Sequence, residues 1–274
     1  MCETHELSSL SIDSYLLDRS AHVPIYLFDQ VESTNDLAYG YLSNPAIDMV
    51  AVLAETQTSG RGRRGRAWTS PKGAGLLMSI GLSYESSPAL HYEEWPLLAS
   101  WALHRALTRV IHENVHIKWP NDIVLNEKKL AGILTELSSS AKRRNLIIGF
   151  GINVNLRLED LPEELRKKAT SMFVETGQMY NRNKLAALII DEVQQLRKDV
   201  SHGLRFSDIH EEWVAHCQTI GRHVRIVQGR DLIEGVASSI DHSGILTVID
   251  DTGTHHRIAS GEIIETSPLG QLSV

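Results

Sequence analysis

The sequence holds only two cysteines, Cys2 and Cys217, and they lie far apart. This excludes a disulfide framework and a zinc site of paired thiolates, and it points to a reduced compartment with both thiols free. No apolar run reaches the length of a membrane-spanning helix. Met1 to Leu10 is acidic and lacks the basic start and apolar centre of a secretory leader. A cytoplasmic protein away from membranes is expected. Basic charge is in deficit: 27 Lys and Arg stand against 34 Asp and Glu, for a formal net charge of -7. That argues against a general nucleic-acid binder, and aromatic residues do not interleave with basic ones as a base-stacking surface needs. The phosphate-binding pattern Gly-x-x-x-x-Gly-Lys-Ser/Thr is absent. So are Gly-x-Ser-x-Gly and a cysteine beside a base, which speaks against covalent hydrolase chemistry. No internal repeat stands out.

Against this acidic background one stretch is strongly basic. Between Gln57 and Trp68, Arg61, Arg63, Arg64 and Arg66 alternate with Gly60, Gly62 and Gly65. Glycine lets a backbone come close to a ligand, and guanidinium forks suit phosphate and carboxylate. A solvated patch is the bland alternative, but a local exception in an acidic chain favours a dedicated anionic ligand. Trp68 adds a flat surface. Gly60 to Arg66 is expected to be mobile without ligand, because its glycines are costly to fix, its arginines repel and it has no apolar anchor.

Hydrophobic periodicity places the rest. A short helix is expected within His5 to Leu17, and strands at residues 25–28, Met49 to Ala54, Gly75 to Leu82, Ile123 to Leu125, Lys129 to Leu137 and Leu146 to Val154. Ser33 or Thr34 can cap a helix, or set its first N–H groups against a polar ligand; the two readings are compatible. Glu94 to Val115 reads as one long helix. Lys184 to Val200 reads as another, and Phe206 to Cys217 as a third capped by Ser207. Ser138 to Arg144 reads as a hairpin loop. On the strand Leu146 to Val154, Leu146, Ile148, Phe150, Ile152 and Val154 face one way, and Gly149, Gly151 and Asn153 the other. His91, His104, His112 and His116 do not converge and are assigned to packing or surface roles. Beyond Gly221, four short strands separated by Gly/Asp turns read as a small barrel. The expected division is 1–24 as a short N-terminal segment, 25–219 as the main domain and 220–274 as the barrel.

The arginine loop, Lys118 and Lys129 bring positive charge to one side of a sheet, and Asp122 brings a carboxylate. Such a site suits a phosphate-rich nucleotide with a divalent cation, in an enzyme that activates an acid. The rival class is a basic-loop nucleic-acid module.

Five motifs carry a resemblance: Ser33-Thr34-Asn35; Gly60 to Arg66 with Trp68; Lys118-Trp119-Pro120-Asn121-Asp122; Lys129 to Leu134; and Gly149-Phe150-Gly151-Ile152-Asn153. In order and spacing the chain resembles the bacterial biotin–protein ligases over roughly residues 25 to 265. The related lipoate ligases share the fold but lack the arginine-rich loop. The resemblance implies an α+β fold of the class II tRNA-synthetase-like type: a mixed, mostly antiparallel sheet with helices on one side, plus a C-terminal SH3-like barrel. It implies ATP, biotin and Mg2+ as cofactors, formation of biotinyl-5'-AMP, and transfer to a lysine of a biotin carboxyl carrier protein. It implies that Ser33, Thr34 and Gln57 hold the biotin ring, that Arg61 and the main chain around Gly132 line the pocket, and that Asn35 and Gly60 belong to the cofactor-binding set. Lys129 would reach the carboxylate and α-phosphate. Arg63, Arg64, Arg66 and Trp68 would close over the adenylate, with Asn153 at the adenine. Asp122, Lys118 and Asn121 would serve the incoming amine, and Arg64 joins Lys129, Asp122 and Lys118 as catalytic. No metal ligands are assigned. Repressor members carry an N-terminal DNA-binding domain for which the first 25 residues are too short, so no DNA partner is expected; a homodimer stays open. A family tryptophan that packs on adenine has no counterpart between Leu161 and Phe173.

Overall fold

In the computed structural model, which describes residues 6–17, 23–85, 91–139 and 143–268, the period-two segments become one seven-stranded sheet. Its strands are β1 (Ile25–Val31), β2 (Met49–Gln57), β3 (Gly75–Glu85), β4 (Val115–Lys118), β5 (Asp122–Leu125), β6 (Lys128–Ser139) and β7 (Arg143–Asn153). The order is β1-β2-β3-β7-β6-β5-β4. β1 runs parallel to β2, and every other neighbouring pair is antiparallel. On one face Leu76, Met78, Ile80 and Leu82 of β3, with Ile148, Phe150 and Ile152 of β7, pack under α3 (Trp95–Thr108) and α5 (Arg182–Ser201).

The expectation of helices on one side needs correction. α2 (Thr34–Tyr41) lies on the other face, where Ala38 and Leu42 cover Val50, Val52 and Ile147. β2 is apolar at every position from Met49 to Ala54, so both of its faces need cover. The helix expected over 94–115 is also shorter. It ends at Thr108, and Val115 already belongs to β4. Val110 and Ile111 prolong the apolar spacing, but their N–H groups close a turn onto the Leu107 carbonyl. Where a loop was expected over Ser138 to Arg144, Ser138 and Ser139 belong to β6 and Arg143 and Arg144 to β7, and residues 140–142 lie outside the described residues.

α1 (Ser9–Tyr15) is capped by Ser8 and docks on α5. Ser8 N donates to Asn183 Oδ1 at 2.8 Å, and Asn183 Nδ2 donates to the Glu6 carbonyl at 2.9 Å. α6 (Phe206–Ala215) is not capped by Ser207. Its first N–H, from Phe206, goes to Glu94 Oε2 at 2.8 Å, and Arg205 N is met by Asp208 Oδ2 at 2.7 Å.

The second sheet comprises β8 (Arg222–Gln228), β9 (Asp231–Ile240), β10 (Leu246–Ile249), β11 (His255–Ile258) and β12 (Glu262–Pro268). Its order is β11-β10-β9-β8-β12 and all its pairs are antiparallel. β12 was not legible in the sequence. Trp119, 2% exposed, joins the two sheets. Its indole N–H donates to the Gly244 carbonyl at 3.0 Å, and its backbone N–H to Thr219 Oγ1 at 3.0 Å. The Trp119–Pro120 bond is cis. Cys217 is a buried free thiol whose burial pushes its pKa up; Cys2 lies outside the described residues.

His104 on α3 is buried, with Nε2 3.1 Å from the Val115 carbonyl and its ring 4.4 Å from that of His216. Burial, then the neighbouring His216, holds its pKa down to about 4. The unfolded chain thus takes up this proton first as pH falls, so stability rises with pH between about 4 and 6.5. Denaturant unfolding should show about 2 kcal/mol lost from this group between pH 7 and pH 5. His104→Gln keeps a donor for Val115 and should flatten the profile by that amount. An unchanged profile would assign the acid sensitivity elsewhere.

Candidate active site

A cavity of about 890 Å³ opens between the first turn of α2, the arginine loop, the glycine-bearing faces of β6 and β7, and the start of β12. The structure brings almost all of the sequence-predicted residues to its wall: Ser33, Thr34, Asn35, Gln57, Arg61, Arg63, Arg64, Arg66, Trp68, Lys118, Asn121, Asp122, Lys129, Gly132 and Asn153. Gly60 is not part of the wall. Its carbonyl accepts the Trp68 N–H at 2.9 Å, and a Cβ there would meet the Trp68 carbonyl oxygen. It shapes the loop instead.

The floor is made of glycine. Gly132 of β6 pairs with Gly151 of β7, and the Trp68 indole lies across them. A Cβ on Gly151 would meet the Trp68 ring, and one on Gly149 would meet Asn35 Oδ1. The small residues of this strand face therefore make room for Trp68 and Asn35, which the sequence reading did not pair with them.

One end of the cavity is polar and uncharged. Thr34 N donates to Gln57 Oε1 at 2.8 Å, and Thr34 Oγ1 lies 3.0 Å from the same oxygen and 2.6 Å from Ser79 Oγ. The capping reading is thereby narrowed: Ser33 is the residue before α2 but makes no side-chain cap bond, and Gln57 satisfies the Thr34 N–H.

The other end is cationic. Lys129 Nζ sits 2.8 Å from Asp122 Oδ1 and 5.5 Å from the Trp68 ring centroid. Lys118 is enclosed beside them, with Nζ 3.5 Å from the Ile263 carbonyl. Burial lowers its pKa; Asp122 opposes that, while Lys129, Arg222 and Arg66 add to it. Arg63 donates to Asn121 Oδ1 at 2.7 Å, and Asn121 Nδ2 to the Ile133 carbonyl at 2.5 Å. Burial lowers the pKa of Arg63 as well. Arg64 donates to the Val227 carbonyl at 2.7 Å, and both Arg64 and Arg66 pair with Glu262 of β12. Arg61 turns away to a two-pronged pair with Asp36, at 2.9 and 2.5 Å. The loop is a small hairpin, bridged Arg61 to Ala67, with Arg64 in the left-handed region at φ 56°. Its arginines thus face Asp36, Asn121 and Glu262 as well as each other, partners that were invisible when mobility was expected from sequence.

Two family models match the chain: the biotin/lipoate A/B protein ligase family over residues 27–153, and the biotin protein ligase C-terminal domain over residues 219–264. The bifunctional ligase/repressor BirA of Bacillus subtilis is 34% identical over 227 residues, covering 82% of this chain and 69% of that protein. The biotin–[acetyl-CoA-carboxylase] ligase of Mycobacterium tuberculosis is 30% identical over 240 residues, 86% of each. The chain belongs to the biotin protein ligase family.

The similarity extends to solved members of the family. A biotin protein ligase from Aquifex aeolicus, in complex with biotin and ATP, superposes with a TM-score of 0.72 at 27% identity, covering 89% of this chain and 99% of that one. One from Leishmania major, in complex with biotinyl-5-AMP, gives 0.61 at 29% identity over 88% and 100%. In the stretch from Leu161 to Phe173, where the resemblance led to the expectation of no tryptophan, Leu161, Pro162 and Leu165 line the cavity, as do Leu156 and Asn153. Asn153 Nδ2 itself donates to the Thr170 carbonyl at 2.9 Å. Glu262 and Ile263 were missed because the strand that carries them was missed. Among the described residues no three His, Cys, Asp or Glu side chains converge to hold a metal ion, and none of the helices is long and apolar enough to cross a membrane.

Proposed function

We propose that this ligase joins biotin to ATP, forming biotinyl-5'-AMP and pyrophosphate, and then passes the biotinyl group to a lysine of a biotin carboxyl carrier protein. The observation that carries the reading is a single cavity with a polar, uncharged end, a glycine floor and a cationic end, in a chain similar to a ligase solved with biotin and ATP. The ring would lie toward Ser33, Thr34 and Gln57, and the carboxylate toward Lys129. In the first step a carboxylate oxygen attacks the α-phosphorus and the bond to the β-phosphate breaks. Lys129, Arg63, Arg64 and Arg66 would hold the charge that builds on the phosphates. In the second, the carrier amine attacks the acyl carbon, AMP leaves and the ammonium proton passes to Asp122, with Lys118 and Asn121 fixing its surroundings. Burial lowers the pKa of Lys118, so its ammonium is held less firmly than that of an exposed lysine beside the incoming amine. The acidic side chains form no metal cluster among the described residues; Mg2+ would enter with the triphosphate, as part of the substrate MgATP.

On this reading residues 25–219 carry the chemistry and residues 220–274 form a second unit, of which Gly261 to Ile264 close the cavity, in a cytoplasmic enzyme without a DNA partner. A lipoate-type reading fits less well, because a dithiolane ring offers nothing to the hydrogen-bonding end. Pyrophosphate release should require biotin, and a purified carrier domain should gain the biotinyl mass only when its target lysine is present. Equal labelling after Lys→Arg substitution in the carrier would defeat the claim. Release with lipoate but not biotin would favour the lipoate reading, and salt-sensitive duplex binding without release would favour a nucleic-acid module.

A further inference from the structure

Four oxygens stand in a row behind the polar end of the cavity: Asn35 Oδ1, Ser79 Oγ, Thr34 Oγ1 and Gln57 Oε1. Their successive separations are 2.6, 2.6 and 3.0 Å. Asn35 and Ser79 are buried. Only two hydroxyl protons are available for these three contacts, because a hydroxyl donates once and an amide oxygen only accepts. One contact must stay bare.

The ends of the row decide which. Asn35 Nδ2 lies 2.6 Å from Glu136 Oε2. An ionised carboxylate only accepts, so Asn35 must turn its NH2 to Glu136 and its oxygen to Ser79. Ser79 then gives its proton to Asn35. At the far end Gln57 Oε1 is held by the Thr34 backbone N–H at 2.8 Å. The Thr34 proton can go to Ser79 or to Gln57. Leaving two buried oxygens bare at 2.6 Å costs more than leaving two bare at 3.0 Å, so it goes to Ser79. Thr34 Oγ1 and Gln57 Oε1 are left side by side on the cavity wall with unshared lone pairs. That pair is an acceptor for a ligand N–H.

We propose that Glu136 is a positioning residue for ligand specificity: acting through Asn35 and Ser79, it orders the hydroxyl protons so that Thr34 and Gln57 present a paired acceptor to a ureido N–H. Glu136 is not a cavity-lining residue, and its side chain is 42% exposed. Its other neighbour, Arg61 at 3.8 Å, is already held by both oxygens of Asp36, so removing the Glu136 charge does not release Arg61. With a neutral amide at position 136 the row can reverse. Asn35 Nδ2 would donate to Ser79, Ser79 to Thr34 and Thr34 to Gln57, and the acceptor pair would be lost. The inference rests on biotin being the acid bound here. It adds that Glu136, from outside the cavity, sets the acceptor that a ring N–H meets; neither a dithiolane nor a plain acyl chain possesses such a donor.

The test is steady-state pyrophosphate release with biotin and with a cyclic carbamate analogue, in which oxygen replaces one ureido N–H. A site built around a ligand N–H should reject the analogue by about a hundredfold or more in kcat/KM. Glu136→Gln should raise KM for biotin by about tenfold, leave KM for ATP and kcat within about twofold, and cut the rejection of the analogue to about tenfold or less. Asn35→Asp combined with Glu136→Gln should restore the order. The carboxylate that this double variant places at position 35 can only accept, from the Ser79 hydroxyl on one side and from the new amide at position 136 on the other. KM for biotin should return toward the wild-type value. A Glu136→Gln enzyme with unchanged biotin KM and unchanged rejection overturns the proposal while leaving biotin ligation standing. A raised KM that the double variant does not rescue, at an unchanged melting temperature, also overturns it by showing a merely structural role. If the double variant does not fold, the analogue ratio of Glu136→Gln decides alone. Absence of biotin-dependent release in the wild type removes the ligase reading and this inference together.

Discussion

Lys129→Ala should lower pyrophosphate release by about a hundredfold or more while the protein melts within a few degrees of wild type. The two halves come from different physics. In the unliganded protein Lys129 makes one ion pair, with Asp122, and the two side chains are 36% and 22% exposed. Partly exposed pairs contribute about 1 kcal/mol or less, a shift of roughly 2–4 °C for a chain of this size. In the reaction the same ammonium would face a carboxylate approaching a polyphosphate, where a fixed positive charge acts on charge that develops only in the transition state. A lysine on an edge strand could serve merely as a solvating charge. β6 is not an edge: it lies between β5 and β7, and Lys129 is bridged to Ala169 as well. Near-normal release by the variant would move the role to another cation, with Lys118 the nearest choice.

The second large effect concerns the arginine loop. Trypsin should cut at Arg61 to Arg66 quickly in the free enzyme and at least about tenfold more slowly with biotinyl-AMP bound, because closure follows the ligand. The free loop is tethered by pairs that are individually weak. Arg61 and Asp36 are 40% and 56% exposed, and Arg66 is 64% exposed against Glu262. Each is worth about 1 kcal/mol or less, against roughly 1–2 kcal/mol for every loop residue held in place. An adenylate offers charge-assisted bonds of about 1.5–3 kcal/mol each and draws Arg64 and Arg66 away from Glu262. Arg63→Ala with Arg64→Ala should weaken the protection and release several-fold more free adenylate, measured by rapid filtration, as water reaches the anhydride. Equal resistance with and without ligand would mean that Asp36, Asn121 and Glu262 already hold the loop shut, and the gating account would fail.

Local patterns carried much of this site. The alternation of apolar and glycine positions along β7 gave both the buried face and the open one, and the five motifs named about half of the residues that line the cavity, its glycine floor and most of its cationic end among them. Long-range choices were hidden. Nothing near Val50 and Val52 says which helix covers them. Apolar spacing past Thr108 cannot tell a continuing helix from a turn into β4. Glu262 sits 196 positions from Arg66 in a strand whose alternation fades into a polar tail, so the partner of the loop was invisible. Asn35 was recognised by motif, but its dependence on Glu136, 101 residues away, is a property of the folded sheet alone.

The docking of the N-terminal segment bears on how the chain is made. Ser8 is stitched to Asn183 across 175 residues, and Leu17 to Asp191 across 174. At about 5–20 residues per second, the segment leaves the ribosome roughly 10–35 s before its partners exist. α1 cannot bury Ile12 during that interval, and β2 must wait nearly as long for Arg182 to reach Glu55. A nascent chain halted before Asp191 should therefore leave α1 accessible to protease and to holding chaperones even after β1 and β2 have paired.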